Sequence, residues 1–173
     1  MQRGPRGQNL GSGAIISTIG TAQDTPKSAL LLRGGLLVLA GATRGASNLD
    51  FGLVRYYPDG ELDTSFRTTG KAVDTVGVVD DWIHGVIQQT DGKVVAAGRA
   101  TFNNVDFALA RYRTNGRLDT SFNTTGKVLT QINDNTDIAR ALALQTDGKI
   151  VVGGYTWMFN RYNYALARYN SDG

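Results

Sequence analysis

The chain has 173 residues, 41 % of them apolar and 19 % charged, and its 18 basic against 15 acidic residues leave a net charge of +3. The basic residues are scattered without a Lys or Arg run, which argues against nucleic-acid binding, and no long uncharged apolar stretch offers a membrane span. The absence of cysteine excludes disulfides and thiolate metal sites.

Residues 1–12 are rich in Gly, Gln and Arg and read as a loose lead-in without the apolar centre of a signal peptide. Ala14 to Ile19, AIISTI, follows a glycine and is rich in β-branched residues, so it reads as a strand. The same position recurs after Gly70 as KAVDTV and after Gly126 as KVLTQI, and is labelled D. Three apolar runs follow, Ser28–Leu32, Gly85–Gln89 and Ala141–Gln145, labelled A. The last two turn through Asp-Gly, the strongest short-range hairpin signal. They lead into the B runs, Leu36–Gly41, Lys93–Gly98 and Lys149–Gly154, which are nearly continuously apolar, as strands covered on both faces require. Strand C carries Leu-x-Arg-Tyr at Leu53–Tyr56, Leu109–Tyr112 and Leu166–Tyr169. Alternation puts Phe107, Leu109 and Arg111 on one face of C and Ala108, Ala110 and Tyr112 on the other, so the small face predicts close approach of a second sheet. A second Gly turn and a Leu-Asp-Thr-Ser-Phe segment then reach the next D.

These runs belong to an internal repeat. Asp50–Lys71, DFGLVRYYPDGELDTSFRTTGK, reappears 56 residues later at Asp106–Lys127, and a third copy opens at Asn163. Four short strands per unit, linked by Gly turns and without helical periodicity, predict an all-β fold, a β-propeller of four-stranded antiparallel blades. The strand order is D-(ABCD)-(ABCD)-ABC, with repeats over about residues 14–69, 70–125 and 126–173. Propellers usually have four or more blades, so three units predict closure by assembly. The orphan D at residues 14–19 fits the vacancy after the last C. The expectation is a homo-oligomer, a dimer for preference, exchanging that strand to close a ring of about six blades. The competing reading is a segment of a longer array.

The string ALARY, the LDTSF segment with its following Gly-Lys, and the hairpin ALALQTDGKIVVGG at Ala141–Gly154 resemble the bacterial delta-60 repeats over about residues 25–173. The first unit departs from the pattern, with LLLRGGLLVLAG lacking the Asp-Gly-Lys turn. The resemblance implies a β-propeller on a secreted or surface-associated bacterial protein, and implies no catalytic residues.

Aligning the A strands exposes a second pattern, Asp24-x-x-Lys27, Asp81-x-x-His84 and Asp137-x-x-Arg140, an acid and a base at the start of each innermost strand. Such rings at a channel mouth predict either ion pairs that fix register or a site for an anionic or polar ligand. Arg55 with Asp63, and Arg111 with Asp119, predict structural ion pairs, because a guanidinium on a covered strand needs a partner. Arg168 has no such downstream Asp and should be more exposed. Trp82, Trp157, Phe159 and Tyr162 fall in the variable loops and suit a sugar or protein ligand. The Asn133–Asp137 run lacks the Gly and terminal Glu of a calcium loop. With one His, no Cys and no Gly-x-Ser-x-Gly elbow, the chain reads as a non-enzymatic scaffold or interaction module without cofactor or metal.

Overall fold

A computed structural model describes residues 14–173, and every element in them is β. Blade 1 comprises β1 (Asp24–Leu31), β2 (Leu37–Arg44), β3 (Leu49–Tyr56) and β4 (Lys71–Asp74). Blade 2 comprises β5 (Trp82–Gln88), β6 (Val94–Thr101), β7 (Val105–Tyr112) and β8 (Lys127–Thr130), and blade 3 comprises β9 (Asp137–Leu144), β10 (Ile150–Met158) and β11 (Arg161–Tyr169). Within each sheet, neighbours in sequence are neighbours in space and all pairs are antiparallel, the meander expected of propeller blades.

The sheets stack through opposite faces of strand C. Phe51 and Leu53 of β3, with Val38 and Ala40, meet Ala96, Ala108, Ala110 and Tyr112 of blade 2. One blade on, Phe107, Leu109, Val95 and Ala97 meet Ile150, Val152, Ala165, Ala167 and Tyr169. Each junction thus sets large side chains against the small ones of the next sheet, which lets the backbones approach and removes apolar area from water at about 25 cal/mol per Å². The alternation in ALARY is what makes this possible.

Residues 14–19 form no strand, contrary to the sequence reading. A strand exists only as part of a ladder, and the free edge of β11, where this segment would pair, lies two blades away in the same chain. The segment lies instead against blade 1. The Ile15 side chain occupies the space over Gly60, and Ser17 and Ile19 share a cavity of about 60 Å³ with Gly52, Val54 and Tyr56.

The innermost strands begin earlier than their apolar runs, because each contains a β-bulge. Register slips between Pro26 and Ser28, between Ile83 and Gly85, and between Ala139 and Ala141, leaving Lys27, His84 and Arg140 as the extra residues. Opposite each bulge stands a glycine, Gly41, Gly98 or Gly154, whose missing Cβ would collide with the carbonyl oxygen of Thr25, Trp82 or Ile138. The glycine that ends each B run is therefore a condition of the bulge. Gly98→Ala should lower stability by more than about 3 kcal/mol in urea unfolding. Gly92→Ala, at a positive φ where the added Cβ would meet only ordinary van der Waals contacts, should cost only about 1 kcal/mol.

Candidate functional site

The acids and bases aligned in the sequence do not pair with each other. In each blade the Asp turns back and closes the loop that leads into its strand. Asp24 accepts the amides of Ile19 and Gly20 and the Thr43 hydroxyl. Asp81 accepts the amides of Val76 and Gly77, and Asp137 those of Ile132 and Asn133 together with the Thr156 hydroxyl. Burial alone would lift the Asp24 carboxyl, but Thr43 and the two amides outweigh it and hold it below its ordinary value. Asp81, which is fully buried, is lifted above it by that burial. The expected register-fixing ion pairs are accordingly absent among the described residues, where Lys27, Arg99 and Arg140 have no carboxylate within salt-bridge distance. In every blade two of the donors that satisfy the acid are backbone amides, which no side-chain pattern reveals.

The bases gather around β5, the middle of the three innermost strands. The Lys27 ammonium lies 5.6 Å from the Trp82 ring centre and the Arg99 guanidinium 5.7 Å from it. The carbonyl of Arg140 adjoins Gly85, the residue after His84, and its guanidinium lies over the Tyr155 ring and donates to the Tyr155 hydroxyl at 2.8 Å. Half-buried His84 sits among them. Burial, then the charges of Arg140, Arg99 and Lys27, lower its pKa to about 4, so the imidazole is neutral at pH 7. Its Nε2 has no hydrogen-bond partner in the protein.

The second set of sequence pairs forms latches between blades. Arg55 meets Asp63 at 2.7 Å and stacks on Phe66, while its other nitrogen donates to the Thr114 carbonyl of blade 2. Arg111 meets Asp119 at 2.9 Å, stacks on Phe122 and donates to the Ser171 carbonyl of blade 3. The turn after each Phe holds two consecutive non-glycine residues at positive φ, Arg67 and Thr68, then Asn123 and Thr124. This conformation aims the amides of Arg67 and Asn123 at the carbonyls of Asn115 and Asp172 in the next blade. Arg168, without a downstream Asp, is exposed.

Among the aromatics, Trp82 opens β5, Trp157 lies in β10 and Tyr162 in β11, so three of the four placed in loops by sequence belong to strands. Trp157 and Tyr155 each pack edge-on against Tyr162 with ring centres 4.7 Å apart. What read as a polar loop between β10 and β11 is the two-residue turn Phe159-Asn160, both at positive φ, and it presents Phe159 at its tip. The Asn133–Asp137 run closes on itself through side-chain to backbone bonds, and among the described residues no group of three or more metal-ligating side chains converges.

Burial would raise the Asp119 carboxyl, but the Ser121 hydroxyl, Lys93, the Ser121 amide and Arg111 outweigh it and hold it well below the usual carboxylate range. Its contribution to stability is present above the unfolded carboxylate pKa and is lost as pH falls through the folded one. Asp119→Ala leaves Arg111 buried and unpaired, and should destabilise the protein by about 3–5 kcal/mol in urea unfolding. Asp147→Ala, at an exposed pair with Lys149, should leave the midpoint unmoved.

No curated protein matches the sequence. A family model described as "Domain of unknown function (DUF5122) beta-propeller" matches residues 35–66, 89–122 and 145–173. Each matched segment runs from the A–B turn through strand C, and the first two continue into the latch. The three together cover more than half of the chain, which belongs to this β-propeller family.

Proposed function

We propose that the chain is a non-enzymatic β-propeller module that closes its ring with a second copy of itself, blade 3 of each chain stacking on blade 1 of the other to give about six blades. The carrying observation is Leu166, which is 73 % exposed where its counterparts Leu53 and Leu109 are at 0 %. Beside it Tyr164 is fully exposed, in the position that Phe51 and Phe107 bury completely.

The two outer faces are of complementary kinds. Blade 3 leaves open the large-residue face, Tyr164, Leu166 and Arg168, and blade 1 turns outward the opposite face of strand C, where Ser17 and Ile19 lie by Gly52, Val54 and Tyr56 beside a cleft of about 530 Å³ bounded by Leu31, Leu37 and Leu39. Residues 14–19 support the same reading. Ile19 and Gly20 reach blade 1 through Asp24 as Val76 and Gly77 reach blade 2 through Asp81, so the segment arrives along the path of a D strand. The register of the other blades would set Ser17 against Tyr164 and Ile15 against Leu166 on the free edge of β11 of the partner copy. The contact is heterologous and closes after two chains. Asp24, Asp81 and Asp137, all three committed to loop closure, support the non-enzymatic reading. The resemblance to delta-60 repeats suggests a secreted or cell-surface setting.

Light scattering should return twice the 18.6 kDa of one chain. Leu166→Asp, or removal of residues 1–20, should return the monomer with unchanged circular dichroism. A native chain at the monomer mass defeats the proposal, as does a mass that climbs steadily with concentration.

Phe159 favours a second reading, a carbohydrate-binding propeller. It is 78 % exposed and held at a positive φ that a bulky residue adopts only at a cost. Specific signals on a glycan array that vanish with Phe159→Ala would carry this reading, and a blank array would remove it.

A further inference from the structure

Three bulges at equivalent places in three blades are a repeated device. A bulge re-aims one side chain out of the alternation of its strand, and here the re-aimed residues are Lys27, His84 and Arg140. Arg99 joins them from the neighbouring strand, since it pairs with Trp82 across the ladder. The acids that could have neutralised this group are held by backbone amides and threonine hydroxyls. The result sets Lys27 and Arg99 over the face of Trp82, two residues before His84, and Arg140 over the face of Tyr155 in the next blade, with no carboxylate paired to them among the described residues. Uncompensated like charges repel one another, and a bound anion would relieve that repulsion while accepting several charge-assisted hydrogen bonds.

We infer that the three innermost bulges build a binding site for a small multivalent oxyanion, held by Lys27, Arg99 and Arg140 with the His84 imidazole between them. The site draws on all three blades of one chain and stands independently of ring closure. Burial first, and then the charges of the three cations on β1, β6 and β9, favour the neutral form of His84. An anion seated there reverses the sign of that influence and favours the imidazolium, so binding and protonation reinforce each other.

His84 is the one histidine of the chain, so a histidine NMR titration reads it without assignment ambiguity. Sulfate is the probe, because it does not itself titrate over the range, and sodium chloride at equal ionic strength is the control. The His84 midpoint, about 4 without ligand, should rise by about one unit at saturating sulfate, equivalent to about tenfold tighter binding by the protonated form. Lys27→Gln combined with Arg140→Gln, at two exposed positions, should abolish the sulfate-dependent rise while leaving the fold intact, and Lys149→Gln should leave the rise unchanged. A midpoint that sulfate moves no further than chloride does overturns the inference. So does a rise that survives the double substitution.

Discussion

The structure rests on one contact, the large-residue face of strand C in one sheet laid on the small-residue face of strand C in the next. A blade has apolar residues on both faces, as Val38 and Leu39 show by pointing opposite ways in β2, and a sheet of that kind cannot be stable alone. Ala108 and Ala110 on one side and Phe107 and Leu109 on the other give the stack a direction. The latches follow from it. Arg55 and Arg111 extend the large face to its rim, where each meets its own Asp and the next blade's carbonyl together, so the donors left over by the ion pair are satisfied only when the sheets are in place.

The sequence carried this contact openly. Period-two alternation in ALARY, glycine after Asp or Asn at the turns, and a 56-residue recurrence together define blades, faces and order, because each signal concerns residues close in the chain. What it hid depends on partners far away or on the main chain. Lys27, His84 and Arg140 occupy places that read as ordinary strand or strand start, and the bulges emerge only from pairing with Gly41, Gly98 and Gly154. The acids three residues earlier suggested ion pairs because side chains are visible in a sequence and amides are not. Residues 14–19 carry a strand composition without a strand, since composition cannot supply an edge. Phe159-Asn160 lacks the glycine by which such turns are recognised, and the hairpin it closes went unread.

The bulges also separate two tasks that one strand would otherwise confuse. Asp24, Asp81 and Asp137 serve the main chain and fix how each D-to-A loop enters the ring, which is structural and identical in kind in all blades. The residue three places on takes no part in that closure and differs from blade to blade, being Lys, His and Arg in turn. Uniform acids carry the architecture, and the varied residues at the bulges stand outside it.

A bulge also bends its strand and tightens the local twist. Placed on the innermost strand, it acts where β1, β5 and β9 lie side by side, so the bulge that re-aims one side chain also shapes the wedge between one sheet and the next. Curvature and the aim of one side chain are therefore set by the same few atoms. Loss of a bulge would change the angle between sheets together with the aim of its side chain, whereas exchanging the bulged side chain alone, as Lys27, His84 and Arg140 differ, leaves the backbone geometry in place.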